Sequence, residues 1–157
     1  MNLPEQIAKH LRDVHFGGNW TDSNLKDNLA DVSWQEAIEK VDSLNTIAAL
    51  VYHINYFVNA GLKVLRGLPL DSSDKYSFDL PPVRSEDDWK KMLDKTWKDA
   101  EDLSVLISKL PEQTLWEVFV HERYGNYYRN LHGIIEHTHY HLGQIALVKK
   151  QLRRQKV

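Results

Sequence analysis

Residues 44–66 read LNTIAALVYHINYFVNAGLKVLR. One broad face of this segment is apolar and carries Ala49, Leu50, Tyr56, Phe57 and Ala60, which is the pattern of a long packed helix. Gly67, Leu68 and Pro69 end it. A helix of about 23 residues is roughly 35 Å long. The connection that follows, residues 67–84, contains Pro69, Pro81 and Pro82 and reaches roughly 59 Å when extended. It can therefore cross a whole bundle and let the helices on either side of it run parallel. Loops of this length are uncommon, and they usually cross over or carry function.

Upstream, residues 4–15 read as a first helix, opened by Pro4 and patterned by Ile7, Leu11 and Val14. Gly17-Gly18-Asn19 breaks it. Short helices are expected at 22–32, from Leu25, Leu29 and Val32, and at 33–40, where Ser33-Trp34-Gln35-Glu36 has the capping-box pattern. Downstream, Ser85 and Asp88 open a helix to 109. Its packed face carries Trp89, Met92, Leu93, Thr96, Trp97, Leu103 and Leu106, and Pro111 follows its end. Residues 112–125 read as irregular, with a short extended piece in LWEVFV, and the last helix covers 126–153. Four long helical segments and almost no alternating pattern predict an all-α four-helix bundle. Its long crossover connection lies between the second and third long helices.

The 157 residues suit one domain, residues 1–157, and 42% apolar with 27% charged residues describes a globular chain with a real core. A formal net charge of −2 gives no global pull toward nucleic acid or anionic lipid. The basic tail, Lys149, Lys150, Arg153, Arg154 and Lys156, reads as charge complementing a helix C-terminus. The absence of cysteine excludes disulfides, a thiol nucleophile and a thiolate metal site, so any metal must be held by nitrogen and oxygen. MNLPEQIAKHLRDV lacks a signal-peptide pattern and no apolar run approaches a membrane span, so the expected location is cytoplasmic.

Five of the eight histidines lie between residues 121 and 141. Residues four apart on a helix point within about 40° of each other, so His137 and His141 share a face while His139 points away. Leu131, Ile134, Ile135, Thr138, Leu142, Ile145 and Leu152 mark the buried stripe of that helix, and the histidine pair lies along its edge. Two imidazoles on adjacent turns can chelate a first-row metal. His53, on the apolar face of the second long helix, is the natural third ligand, because a buried imidazole needs a hydrogen-bond partner or a metal. Spacing alone leaves two readings: a three-imidazole site, or a polar surface pair plus a satisfied core histidine. Thr138 stands where a zinc-protease helix carries Glu, which argues against that class.

His137-xxx-His141-Leu142-Gly143-Gln144-Ile145 resembles the C-terminal helix signature of the DinB-like superfamily, which includes the YfiT-like proteins. Leu50-xx-His53-Ile54-Asn55-Tyr56 is similar to that family's first histidine segment, and Gly18-Asn19-Trp20-Thr21 with Leu25 and Leu29 resembles its N-terminal part. The resemblance covers nearly the whole chain. It implies the bundle with its crossover, a site for nickel, zinc or a similar divalent ion at His53, His137 and His141, and a homodimer. It departs at Leu142, where many relatives carry Arg or another polar residue, and so implies no anion-binding role for that position. The family is unrelated to the DNA polymerase of similar name, and no nucleic-acid partner is expected.

Around the site, Gln144 is placed either to hydrogen-bond His141 or to pack the helix. By the resemblance His15, Asn19 and Trp20 lie near the cleft, and Trp20 reads as packing and capping. His139, Tyr140, Glu136, Gly143 and Leu147 form a solvated or partner-facing side, His10, His121 and His132 lie on the surface, and the remaining aromatics are mostly core. No residue stands out as a general base. Some members of the family transfer low-molecular-weight thiols and others are metal hydrolases, so the expected function is a metal-dependent enzyme using an external thiol or water. The alternatives are a non-catalytic metal-binding or ligand-sensing dimer, and a helical interaction domain with structural histidines.

Overall fold

The computed structural model describes residues 1–154; Lys156 of the basic tail lies outside them. The chain is all-helical, with α1 (Leu3–Phe16), α2 (Leu25–Leu29), α3 (Trp34–Ile38), α4 (Ile47–Leu65), α5 (Glu86–Ser108) and α6 (Tyr127–Arg154). Four of these are long. Local chemistry sets their ends. Asn2 and Glu5 form a capping box on α1, Ser33 and Glu36 another on α3, and Thr46 and Ser85 cap α4 and α5. The second long helix therefore begins at Ile47, not near 44, because the Thr46 hydroxyl accepts the Ala49 N–H and fixes the start there.

α4 packs on α5 and on α6, and α1 packs on the same two helices. Between α4 and α5 the cross-links advance together: Asn55 and Asn59 both donate to Asp99, and Arg66 donates to Asp102. These two helices run in the same sense. Between α4 and α6 the order is opposed. His53 meets His141, and Gly61 lies beside Ile134, so those helices run antiparallel.

The core between them is built from Leu11, Leu50, Ile54, Leu103, Leu131 and Ile145, all essentially inaccessible. Residues 112–125 form two short 3-10 turns and a single antiparallel bridge between Val118 and Asn126, so the extended piece expected there is reduced to that one pair. Lys149 and Arg153 near the end of α6 pair with Asp31, and Arg153 also reaches Glu36. Those two basic residues tie α6 to the segment around α2 and α3. Their hydrogen bonds hold the Asp31 carboxyl well below the usual carboxylate range.

Several aromatics differ from expectation. Trp89 is fully buried and donates its indole N–H to the Val32 carbonyl, but Trp20 is 98% exposed and Trp116 is also exposed. Asn19 does the work expected of Trp20: its amide donates to the Asp13 and Ser23 carbonyls, and its oxygen accepts from Thr21. With Asn19 turned inward, its neighbour faces water.

Candidate metal centre

His53 comes from the middle of α4, and His137 and His141 from successive turns of α6. Because α4 and α6 cross close together here, the three rings meet. Ring centroids lie 4.7 Å apart for His53 and His137, 4.6 Å for His53 and His141, and 4.4 Å for His137 and His141. One ligand nitrogen from each ring falls within 4.8 Å of the others, and the three residues are able to hold a metal ion. His53 and His141 are 9% and 8% exposed, and His137 is half-buried.

Two of the three rings are fixed from outside. Nδ1 of His141 donates to Gln144 Oε1 at 2.7 Å, and Nδ1 of His53 donates to the Ser77 carbonyl at 3.3 Å. Both bonds place the proton on Nδ1 and leave Nε2 as a bare lone pair on the inner side. Between His53 and His137 the two Nε2 atoms are hydrogen-bonded at 2.9 Å; since the His53 proton is on Nδ1, the His137 Nε2–H donates to the His53 Nε2. Ligands about 2.05 Å from one ion are separated by about 2.9 Å at neighbouring octahedral positions and about 3.3 Å at tetrahedral ones. The hydrogen-bonded pair has nearly that spacing already, so an ion could take the place of the proton between the two nitrogens with little movement of the rings. Nδ1 of His137 is buried with no hydrogen-bond partner.

The electrostatics favour the ligand form. Burial, reinforced by His141 and His53, lowers the His137 pKa to about 4. Burial lowers that of His53 as well, with His141 adding to it and the Ser77 bond and Asp74 opposing it. Near pH 7 both rings are neutral imidazoles, as metal binding requires.

The connection between α4 and α5 supplies a wall that the histidine spacing did not reveal. Phe78 stacks on the His53 ring at 4.0 Å and 8°, and Phe57 meets His53 and His137 edge-on at 5.2 and 4.7 Å. Phe57 stood on the expected apolar face. Ser77 and Phe78 lie in a loop with no periodicity to place them.

Of the other candidates, Gln144 bonds to His141 as expected of a supporting residue. His15 is not among the three rings. It is fully buried, donates Nδ1 to the Leu11 carbonyl and packs beside Phe16. His139 is not on a solvated side: it is half-buried and turned toward α1, its ring 6.1 Å from that of His10. His132 is half-buried against Tyr128 rather than on the surface, because α6 rolls that side toward α1 and the 112–125 segment. Glu136, Tyr140 and Leu147 are exposed as expected.

Beside His137 opens a cleft of about 370 Å³, walled also by Phe57, Tyr124, Asn130 and the side chains of Arg123 and Arg129. No protein-family model, curated protein or solved structure matches the chain.

Proposed function

We propose that this protein binds one divalent metal ion, nickel or zinc, through His53, His137 and His141, and uses it on a small-molecule substrate. The observation that carries the reading is the convergence of three imidazoles whose outer nitrogens, in two of the three, are committed to Gln144 and Ser77. When bound, such an ion supplies Lewis-acid chemistry and lowers the pKa of a water or thiol that joins it. The chain's own groups do the rest. Gln144 and Ser77 aim the rings, Phe57 and Phe78 restrict water around His53, and the cleft beside His137 admits a ligand from one side. Asp74 of the long connection is the carboxylate acting on His53, and it lines an adjoining cleft.

The fold reading that goes with this is a DinB/YfiT-like four-helix bundle, with residues 66–85 as the crossover. Its support is the pairing of α1 and α4 with both α5 and α6, and the shared sense of α4 and α5. The activity proposed is transfer of a low-molecular-weight thiol to an electrophile, or hydrolysis; with no cysteine in the chain, the thiol comes from outside. A homodimer belongs to the same reading. Tyr140 and Leu147, two turns apart on α6 and exposed, offer apolar surface for it, and sedimentation measures it.

Elemental analysis after reconstitution tests the centre. Wild type is expected to hold one ion per chain, and His53→Ala and His141→Ala much less. Equally low metal in all three would sink the proposal. Metal without turnover across a panel of thiols and electrophiles would leave a non-catalytic metal-binding protein.

A further inference from the structure

We infer that the cleft beside His137 binds a small organic oxyanion, a carboxylate or phosphate ester with an apolar body, through Arg123 and Arg129. The inference names the substrate class of the same site and takes the metal reading as its premise. His137, Arg123 and Arg129 line one cleft, and no acidic residue lines it with them. Among the described residues the ion pairs of arginine involve Arg12, Arg66 and Arg153; Arg123 and Arg129 have none. Both arginines are exposed, and a guanidinium with no carboxylate partner can take up an oxyanion through paired N–H donors.

Both groups are positioned by one tyrosine. Arg123 lies over the Tyr124 ring, 4.6 Å from its centroid, and donates to its hydroxyl at 2.5 Å. Arg129 donates Nη1 to the Tyr124 carbonyl at 3.3 Å. Asn130 donates to the same carbonyl at 2.9 Å and fixes it in place. A guanidinium has five N–H donors, so each arginine keeps several for a ligand. Phe57 and Ile134 form the apolar part of the wall and continue into a neighbouring cleft of about 580 Å³ that Phe119 and Leu70 also line. Asp74 lines that larger cleft, so its carboxylate works against an anion there and favours the smaller one, which holds both arginines. A ligand with its oxyanion between the arginines and its apolar body over Phe57 lies against His137.

Calorimetric titration tests this, with phenyl phosphate and benzoate as probes and phenol as the uncharged control. Each is added to zinc-loaded and chelator-stripped protein. At least one anion is expected to bind stripped wild type more than tenfold tighter than phenol, and the better anion identifies the oxyanion. The double variant Arg123→Gln, Arg129→Gln is expected to lose at least tenfold in affinity with its zinc content unchanged. The double variant Arg123→Lys, Arg129→Lys is expected to recover part of that loss, which shows that charge and not misfolding is responsible. Unchanged affinity in the glutamine variant, phenol binding as tightly as the anions, or no anion binding to wild type overturns the inference. So does binding that needs zinc and ignores the arginines. Arginine-dependent binding in a protein that takes up no zinc supports the anion cleft while removing the metal centre.

Discussion

Gln144 governs the orientation of one of the three clustered rings. Its oxygen holds Nδ1 of His141 at 2.7 Å and so fixes both the tautomer and the orientation of that imidazole. Gln144→Ala is expected to weaken metal binding by about 10- to 100-fold while leaving the helix content unchanged. Competition with a chromophoric chelator reads the first and circular dichroism the second.

His15 offers a different test at the same scale. Burial lowers its pKa to about 4 from an ordinary 6.5, with the Leu11 bond opposing the shift and nearby His139 adding to it. The unfolded chain therefore takes up a proton that the folded one refuses between those values. Its contribution to stability is complete above pH 6.5 and is lost as the pH falls toward 4. The loss is about 2–3 kcal/mol by pH 4.5. His15→Leu, which removes the buried and unpartnered Nε2, is expected to flatten that part of the pH profile in urea denaturation. An unchanged slope would show that the acid sensitivity lies elsewhere. The shared face of His137 and His141 was legible in sequence because i,i+4 spacing fixes it, and His53 was singled out as a histidine on the apolar face of the second long helix. Trp20 was misread because the residue that closes that loop is its polar neighbour, Asn19.

Among the elements, α4 and α6 pack closely where Gly61 faces Ile134. A Cβ on Gly61 would stand 2.7 Å from the Ile134 Cδ1 and 3.6 Å from a Leu103 methyl. Ala is expected to be tolerated there within about 1 kcal/mol, because the end of Ile134 can swing aside and helix propensity improves. Val is expected to cost about 1–3 kcal/mol by overpacking. Urea midpoints compare the two; equal midpoints would mean that the helices are not in close contact at this point.

The long helices were readable because their apolar faces and polar caps agree. Ser85 with Asp88 and Ser33 with Glu36 did what the sequence pattern required. The faces of α6 were only half readable. Periodicity found Leu131, Ile135, Leu142 and Ile145, but it could not tell that α1 covers the His139 side.

For the molecule as a whole, an ion held by His53 and His137 would join α4 to α6, two elements that are 84 residues apart at that contact. A ligand that binds only the folded state stabilises it by about 2.7 kcal/mol at a hundred times its dissociation constant. For a chain of this length the melting temperature is expected to rise by roughly 5–10 °C on adding zinc or nickel at that level. The rise should vanish in His53→Ala. A comparable rise in that variant would place the ion on surface residues instead. Of this architecture, the length of the 67–84 connection was plain in the sequence. Its contribution of Ser77 and Phe78 to the His53 ring was not, since proline-rich loops carry no period from which a facing direction can be read.

That connection limits what an engineer could change. An ordinary tether between helices tolerates insertion, since each doubling of its length costs only about 0.6 kcal/mol. Here the span is also masonry: a peptide tag grafted between Asp74 and Phe78, or a shortening across them, would shift the carbonyl and the aromatic plate that seat the imidazole of α4. Splicing on the far side of Pro81 and Pro82 spares that seat. The two halves of one loop would thus differ sharply in their tolerance of surgery, although no boundary between them is marked in the chain.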